Sequence, residues 1–164
     1  MTEASNTLAL VADIGGTNAR FALTDIATAH PVLSHSCSLP AADFASLQHA
    51  IEHYLARVGA KPRLASLAVA CPVLGDDIRL TNRAWAFSQN ELKARLGLEH
   101  MLVINDFGAA ALAVLDIGDE DRVCLHGSQD QQRKGPITVI GPGTGLGIAL
   151  LIGDDRQGWR VVET

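Results

Sequence analysis

Two strand–glycine turn–strand units, one near each end of the chain, constrain the fold more than any other feature. In the first, the apolar run Leu8-Ala-Leu-Val-Ala12 leads into Asp13-Ile-Gly-Gly-Thr17, and the alternating Asn18-Ala-Arg-Phe-Ala-Leu-Thr24 follows. The second unit carries Gly141-Pro-Gly-Thr-Gly-Leu-Gly147 between Ile137–Ile140 and Ile148–Ile152, with Trp159–Val162 as a third strand. The links are too short for helical crossovers, so each unit folds as an antiparallel meander. The first tip presents one carboxylate, two glycines and a hydroxyl. Its glycines leave backbone N–H groups bare enough to approach a phosphate, and Asp13 can hold a magnesium ion directly or through water. An ordinary hairpin with a Gly-Gly turn reads the same way.

Between the units, apolar patterning alternates strand and helix. A third strand at Val32–Leu39 is followed by a helix capped by Asp43, with Phe44, Leu47, Ile51, Leu55 and Val58 on one face and Gly59 closing it. Leu64–Ala70 reads as a short apolar strand covered on both faces. Cys71-Pro72 ends it, and Asp76–Thr81 is a further extended piece. Ser88-Gln-Asn-Glu91 has capping-box spacing and starts a helix that stops at Gly97. Met101–Asn105 is another buried strand, and Asp106 opens an alanine-rich helix to about Leu115. Three antiparallel strands, helix, strand, helix, strand, helix is the order of an α/β, ribonuclease H-like mixed sheet with flanking helices. The chain divides into a first lobe at 1–115, a polar link at 116–136 and the opening β-meander of a second similar lobe at 137–164. No helices follow to cover that second sheet, so an exposed apolar face with open edges, on which two copies could pair as a homodimer, and a sequence that is a piece of a longer protein are expected.

Composition excludes several classes. A net charge of −5 over 164 residues argues against nucleic acid, which selects basic faces. No apolar run reaches the roughly 20 residues that span a bilayer. The N-terminus lacks a basic n-region, and three scattered cysteines fit neither a disulfide framework nor a zinc site, so the chain reads as cytoplasmic. The six histidines show no metal-ligand spacing, and His49 and His53 lie on a polar helix face.

The second tip is no dinucleotide fingerprint, since the third glycine of G-x-G-x-x-G would fall on Leu146, and there is no G-x-x-x-x-G-K-[ST]. A flexible turn explains it, but four alternating glycines cost chain entropy, which favours close approach by a phosphate. Asn105-Asp106 stands where a buried strand meets a helix, the place where α/β sheets put ligands. Asp106 there is either a helix cap or the carboxylate that takes a hydroxyl proton in phosphoryl transfer. Thr81-Asn82 can reach a polar ligand or cap a turn, and Trp85 with Phe87 reads as a core plug.

Together, Val11-Ala-Asp-Ile-Gly-Gly-Thr-Asn-Ala-Arg20, Val69-Ala-Cys-Pro-Val-Leu-Gly-Asp76, Leu80-Thr-Asn-Arg-Ala-Trp-Ala-Phe-Ser88, Ile104-Asn-Asp-Phe107 and Gly141–Gly147 resemble the bacterial glucokinase family. That family lies within the sugar kinase, actin and heat-shock-protein-70 ATPase superfamily. The resemblance implies a two-lobed, actin-like enzyme that phosphorylates the 6-hydroxyl of glucose with ATP and Mg2+. It implies ATP contacts from Ala12, Asp13, Ile14, Gly15, Gly16 and Thr17, and from Gly143, Thr144 and Gly145, with Asp13 near the magnesium. It implies that Asn105 and Asp106 bind the sugar and that Asp106 is the catalytic base. The Glu-Gly-Gly-His segment that completes the family's sugar site would come next after Val161-Val-Glu-Thr164, so little or no kinase activity is expected of these 164 residues alone. A kinase for another hexose or an amino sugar, a sugar-sensing regulator without catalysis, and a non-catalytic fragment are the alternatives.

Overall fold

The structure is a computed structural model that describes residues 7–28, 31–81, 85–127, 135–142, 146–154 and 156–163. It forms two compact units, Met1–Asp106 and Phe107–Thr164. In the first, β1 (Leu8–Ile14), β2 (Asn18–Asp25) and β3 (Ser34–Pro40) form the expected meander. Then come α1 (Leu47–Val58), β4 (Leu64–Val69), the short strands β5 (Asp77–Arg79) and β6 (Ala86–Ser88), α2 (Gln89–Arg95) and β7 (His100–Asn105). The five-stranded sheet runs β3-β2-β1-β4-β7, with β4 parallel to both β1 and β7. This is the ribonuclease H-like mixed sheet that the element order predicts.

One face of that sheet carries the core. In register across it lie Leu39, Ala19, Ile14 and Val69, and then Cys37, Phe21, Ala12, Leu67 and Val103. Leu47, Ala50, Ile51 and Tyr54 of α1 and Leu92 of α2 belong to the same apolar cluster. Phe21 stacks on Tyr54 with ring centroids 5.3 Å apart, and the Tyr54 hydroxyl donates to the His35 carbonyl at 3.1 Å, so this polar group is satisfied in the core. His35 has left-handed backbone, φ 54°, where the β2–β3 register shifts by a bulge.

Three local expectations change. Helix α1 begins at Ser46, whose Oγ accepts from the His49 N–H, while Asp43 ends a separate 3-10 turn. Phe44 between them is extended, and its carbonyl accepts from the indole N–H of Trp85 at 3.1 Å. A helix running through Phe44 would have spent that carbonyl within itself. Burial along β4 alternates rather than covering both faces, because α1 and α2 both pack on one side. The strand β6 goes unread in sequence because three residues carry too little periodicity; it pairs with β5, and Trp85 before it is a core plug, 4% exposed.

The Ser88 N-cap of α2 holds. Ser88 Oγ accepts from the Glu91 N–H at 3.1 Å and donates to Asp76, whose carboxylate also accepts from the Asn90 N–H. The Ser88 hydroxyl, then the Asn90 N–H, hold the Asp76 carboxyl below its ordinary value. A depressed folded-state pKa gives stability that is present above the unfolded value and lost as pH falls through the folded one. Ser88→Ala is therefore expected to cost about 1 kcal/mol in urea unfolding at neutral pH, and less in acid where Asp76 is protonated.

The second unit holds α3 (Asp106–Ala113) after its first residue, then β8 (Ile137–Pro142), β9 (Leu146–Asp154) and β10 (Gly158–Glu163) in an antiparallel sheet of order β10-β9-β8. Phe107, Ala111, Leu112 and Leu115 pack against Val139, Ala149, Leu151, Trp159 and Val161. The alanine-rich helix thus goes with this sheet rather than with the first lobe, because its apolar residues find their partners there. On the other face Ile140, Leu146, Ile148, Ile152 and Val162 are exposed, as expected of an uncovered sheet. No helix among the described residues is long and apolar enough to cross a membrane.

Candidate functional site

Sheet register brings the first unit's candidate residues to one edge. Ile14 pairs with Val69 and Val69 with Asn105, so three parallel strands end level. Neighbouring strands lie about 4.8 Å apart, which puts Ile14 and Asn105 about 10 Å from each other. The loops leaving these ends are tied together. Ala70 N–H donates to the Ile14 carbonyl at 3.1 Å, Cys71 N–H to the Val69 carbonyl at 2.8 Å, and Asn105 Nδ2 to the Cys71 carbonyl at 3.2 Å. Asp106 follows directly as the first residue of α3. Asp13, one residue back on β1, is level with Ala68 and Ile104 on the opposite sheet face from the core. One strand-end edge therefore gathers Asp13, Asn105 and Asp106.

The first tip is closed by Gly15 N–H donating to the Asn18 carbonyl at 3.0 Å, while Ala41 N–H donates to the Thr17 carbonyl at 2.8 Å. Neither Gly15 nor Gly16 has left-handed backbone. The tight hairpin turns that call for glycine need positive φ, so turn conformation does not account for this pair. A Cβ on Gly15 would meet only the Asn18 carbonyl oxygen, at an ordinary 3.4 Å. What the glycines supply is a bare backbone edge. Ile14 is fully buried, so its share in a ligand site rests on its backbone alone.

Asp13 is half exposed and pairs with Arg20 Nη1 at 2.6 Å, directly across the β1–β2 ladder. Sequence reasoning passed over Arg20. Its signal was available: in a hairpin centred between Gly16 and Thr17, residue 20 must face residue 13. Among the described residues no cluster of three or more His, Cys, Asp or Glu could hold a metal by itself. A lone carboxylate at a tip suits magnesium that arrives with phosphate oxygens and water as its other ligands.

Cys71 is buried, and burial first, then the negative charge of Asp106, push its thiol up. It stays protonated at neutral pH, and its visible role is structural, through the carbonyl that Asn105 holds. His49 and His53 are exposed, as read from the helix pattern.

The second tip yields an unforeseen partner. Gly141 and Gly147 face each other across β8 and β9, and the Phe107 ring lies against both. A Cβ on Gly141 would stand 2.6 Å from the ring's Cζ, and one on Gly147 would overlap its Cδ2–Cε2 edge. Two of the four alternating glycines thus make room for a side chain of the same unit, not for a phosphate. Gly143, Thr144 and Gly145 lie outside the described residues, as does Asn82.

Known proteins resemble this chain in sequence and in fold. A sequence profile described as Glucokinase matches residues 10–164. The glucokinase of Tolumonas auensis is 45% identical over 143 residues, which are 87% of this chain and 44% of that protein. That of Yersinia pestis is 42% identical over 151 residues, 92% of this chain and 46% of the relative. A crystal structure of glucokinase from an Antarctic psychrotroph superposes with a TM-score of 0.84 at 41% identity, covering 96% of this chain and 50% of that one. The chain spans about half the length of the curated relatives it matches. By the profile match over residues 10–164 and these relatives, the chain belongs to the glucokinase family.

Proposed function

We propose that this chain supplies the phosphate loops and the base of a kinase that transfers the γ-phosphate of ATP to the 6-hydroxyl of D-glucose. The observation that carries this reading is the level ending of β1, β4 and β7, which sets Asp13 and Asn105-Asp106 on one edge beside a bare glycine tip. Asp106 takes the proton of the 6-hydroxyl as that oxygen attacks the γ-phosphorus; the new O–P bond forms as the bond to ADP breaks. Asn105 holds the sugar and, through its bond to the Cys71 carbonyl, keeps the neighbouring loop in place. Backbone N–H groups of the Asp13–Thr17 tip, and the Gly143–Gly145 tip, take the ATP phosphates. Asp13 is the residue to hold Mg2+, which when bound neutralises phosphate charge. Closure of two lobes would exclude water from the transfer. Three free cysteines suit a reducing, cytoplasmic compartment.

The test is ATP consumption over a panel of glucose, mannose, fructose and N-acetylated amino sugars. The 164 residues alone are expected to bind Mg-ATP with little turnover, whereas the chain joined to the second half of a family member phosphorylates glucose fastest. Faster turnover of another sugar would move the assignment to that substrate. Sugar-independent ATP hydrolysis alone would overturn it.

A further inference from the structure

The loop that leaves β4 is fastened at both ends, each time to a different element of the first unit. At its start the Cys71 carbonyl accepts from Asn105 Nδ2 at the end of β7. At its far end the first turn of α2 takes over. Gln89 Nε2 donates to the Gly75 carbonyl at 2.7 Å, and the Gln89 N–H donates to the Asp76 carbonyl at 3.0 Å. The Asp76 carboxylate is held besides by Ser88 and by the Asn90 N–H. Gly75 has left-handed backbone, φ 80°, a turn that glycine takes without strain. Between the ends Pro72 has a fixed φ, Val73 packs on the core cluster and Leu74 is exposed. Cys71 is seated in the core, but its carbonyl lies in the peptide plane it shares with Pro72, so its direction follows the loop.

We propose that Gln89 is a positioning residue for Asn105: its side chain holds the Gly75 carbonyl, the loop carries that hold to the Cys71 carbonyl, and this carbonyl aims the Asn105 amide. The first turn of α2 thereby sets the direction of a side chain on the strand-end edge. That Asn105 meets a sugar rests on the proposed kinase reading; the link from Gln89 to Asn105 does not.

The experiment uses Gln89→Ala and Gln89→Glu, the second of equal length but, when ionised, with no hydrogen to donate. Both keep Ser88, Asp76 and the backbone N–H groups of α2, so the helix keeps its cap. In NMR of the 164-residue chain, the backbone order parameters of Val73, Leu74 and Gly75 are expected to fall from about 0.85 toward about 0.6. The side-chain amide resonances of Asn105 should shift in both variants. In the chain joined to the second half of a family member, the KM for glucose should rise about three- to tenfold, the range one hydrogen bond supports. There kcat and Mg-ATP affinity should stay within about twofold, a split that general loosening of the fold would not give. Adding Gln89→Ala to Asn105→Ala should raise KM no further than Asn105→Ala alone, because the two act as one unit. Unmoved Asn105 resonances with unchanged order parameters in both variants overturn the link. A KM that rises additively in the double variant, or a kcat loss at constant KM, overturns the route through Asn105. A joined parent with no sugar phosphorylation overturns the kinase reading, and the resonances of the 164-residue chain then still decide the link.

Discussion

In the chain joined to the second half of a family member, Asp106→Asn is expected to lower kcat for glucose phosphorylation by about 10²–10⁴-fold, the usual worth of a positioned general base. Asparagine is the sharpest substitution because it changes one property. It has the same shape, remains acceptable at the start of a helix, and still hydrogen-bonds a hydroxyl, but it cannot take the proton. Helix α3 is held by its apolar packing against β8 and β9, so the variant should melt close to the parent. Affinity for Mg-ATP should hold within about twofold, because the nucleotide contacts are assigned to the two tips and not to this carboxylate. Cys71 gives a second readout. Part of the upward push on its thiol comes from the Asp106 charge, so removing that charge should ease thiol ionisation slightly while burial keeps most of the effect. Steady-state kinetics and calorimetric ATP titration check the first claims, and the pH dependence of alkylation checks the last. Equal turnover in the variant would remove Asp106 from the chemistry and leave it a helix-starting residue.

Gly15→Ala separates two meanings of a glycine. If Gly15 were there for turn geometry, alanine would strain the hairpin and lower stability. Its backbone is not left-handed, and the added methyl would meet one carbonyl oxygen at 3.4 Å. Stability should therefore hold or rise by about 0.4–1 kcal/mol, since alanine has fewer unfolded conformations to lose. Binding should go the other way. A methyl on the bare edge blocks at least one backbone N–H from a phosphate, and a hydrogen bond to a charged group is worth about 1.5–3 kcal/mol. Affinity for Mg-ATP should fall roughly ten- to a hundredfold. A thermal melt and a calorimetric titration on the same sample decide it. An alanine variant that melts lower yet binds ATP normally would return Gly15 to the ordinary-turn reading.

The sequence carried much of this fold because its information is local. Apolar runs bounded by glycine turns place β1, and the Ser88–Glu91 spacing places α2 to within a residue. Short links force the first three strands antiparallel, and long links with helices allow β4 and β7 to run parallel, so strand sense follows from connection length, whereas the order β3-β2-β1-β4-β7 is a matter of tertiary packing. Local pattern failed where a distant group competed. Phe44 stays out of α1 because the Trp85 indole, 41 residues on, takes its carbonyl.

The site divides in the same way. Asp13, Gly15, Asn105 and Asp106 stand out in sequence by residue type beside turns and strand ends. Their meeting on one edge exists only through register, since nothing local makes Ile14, Val69 and Asn105 end level. The Arg20 partner of Asp13 is a matter of hairpin counting. The reason for Gly141 and Gly147 lies in a ring more than thirty residues earlier, and no spacing rule reaches that far. By itself, then, the sequence determined most of the elements, the sense of the strands and the residues able to do chemistry, because hydrogen-bonding period, turn geometry and side-chain type are local properties. Only the tertiary structure decided which strand ends align and which glycines serve packing, because each depends on groups brought together by the closing of a sheet.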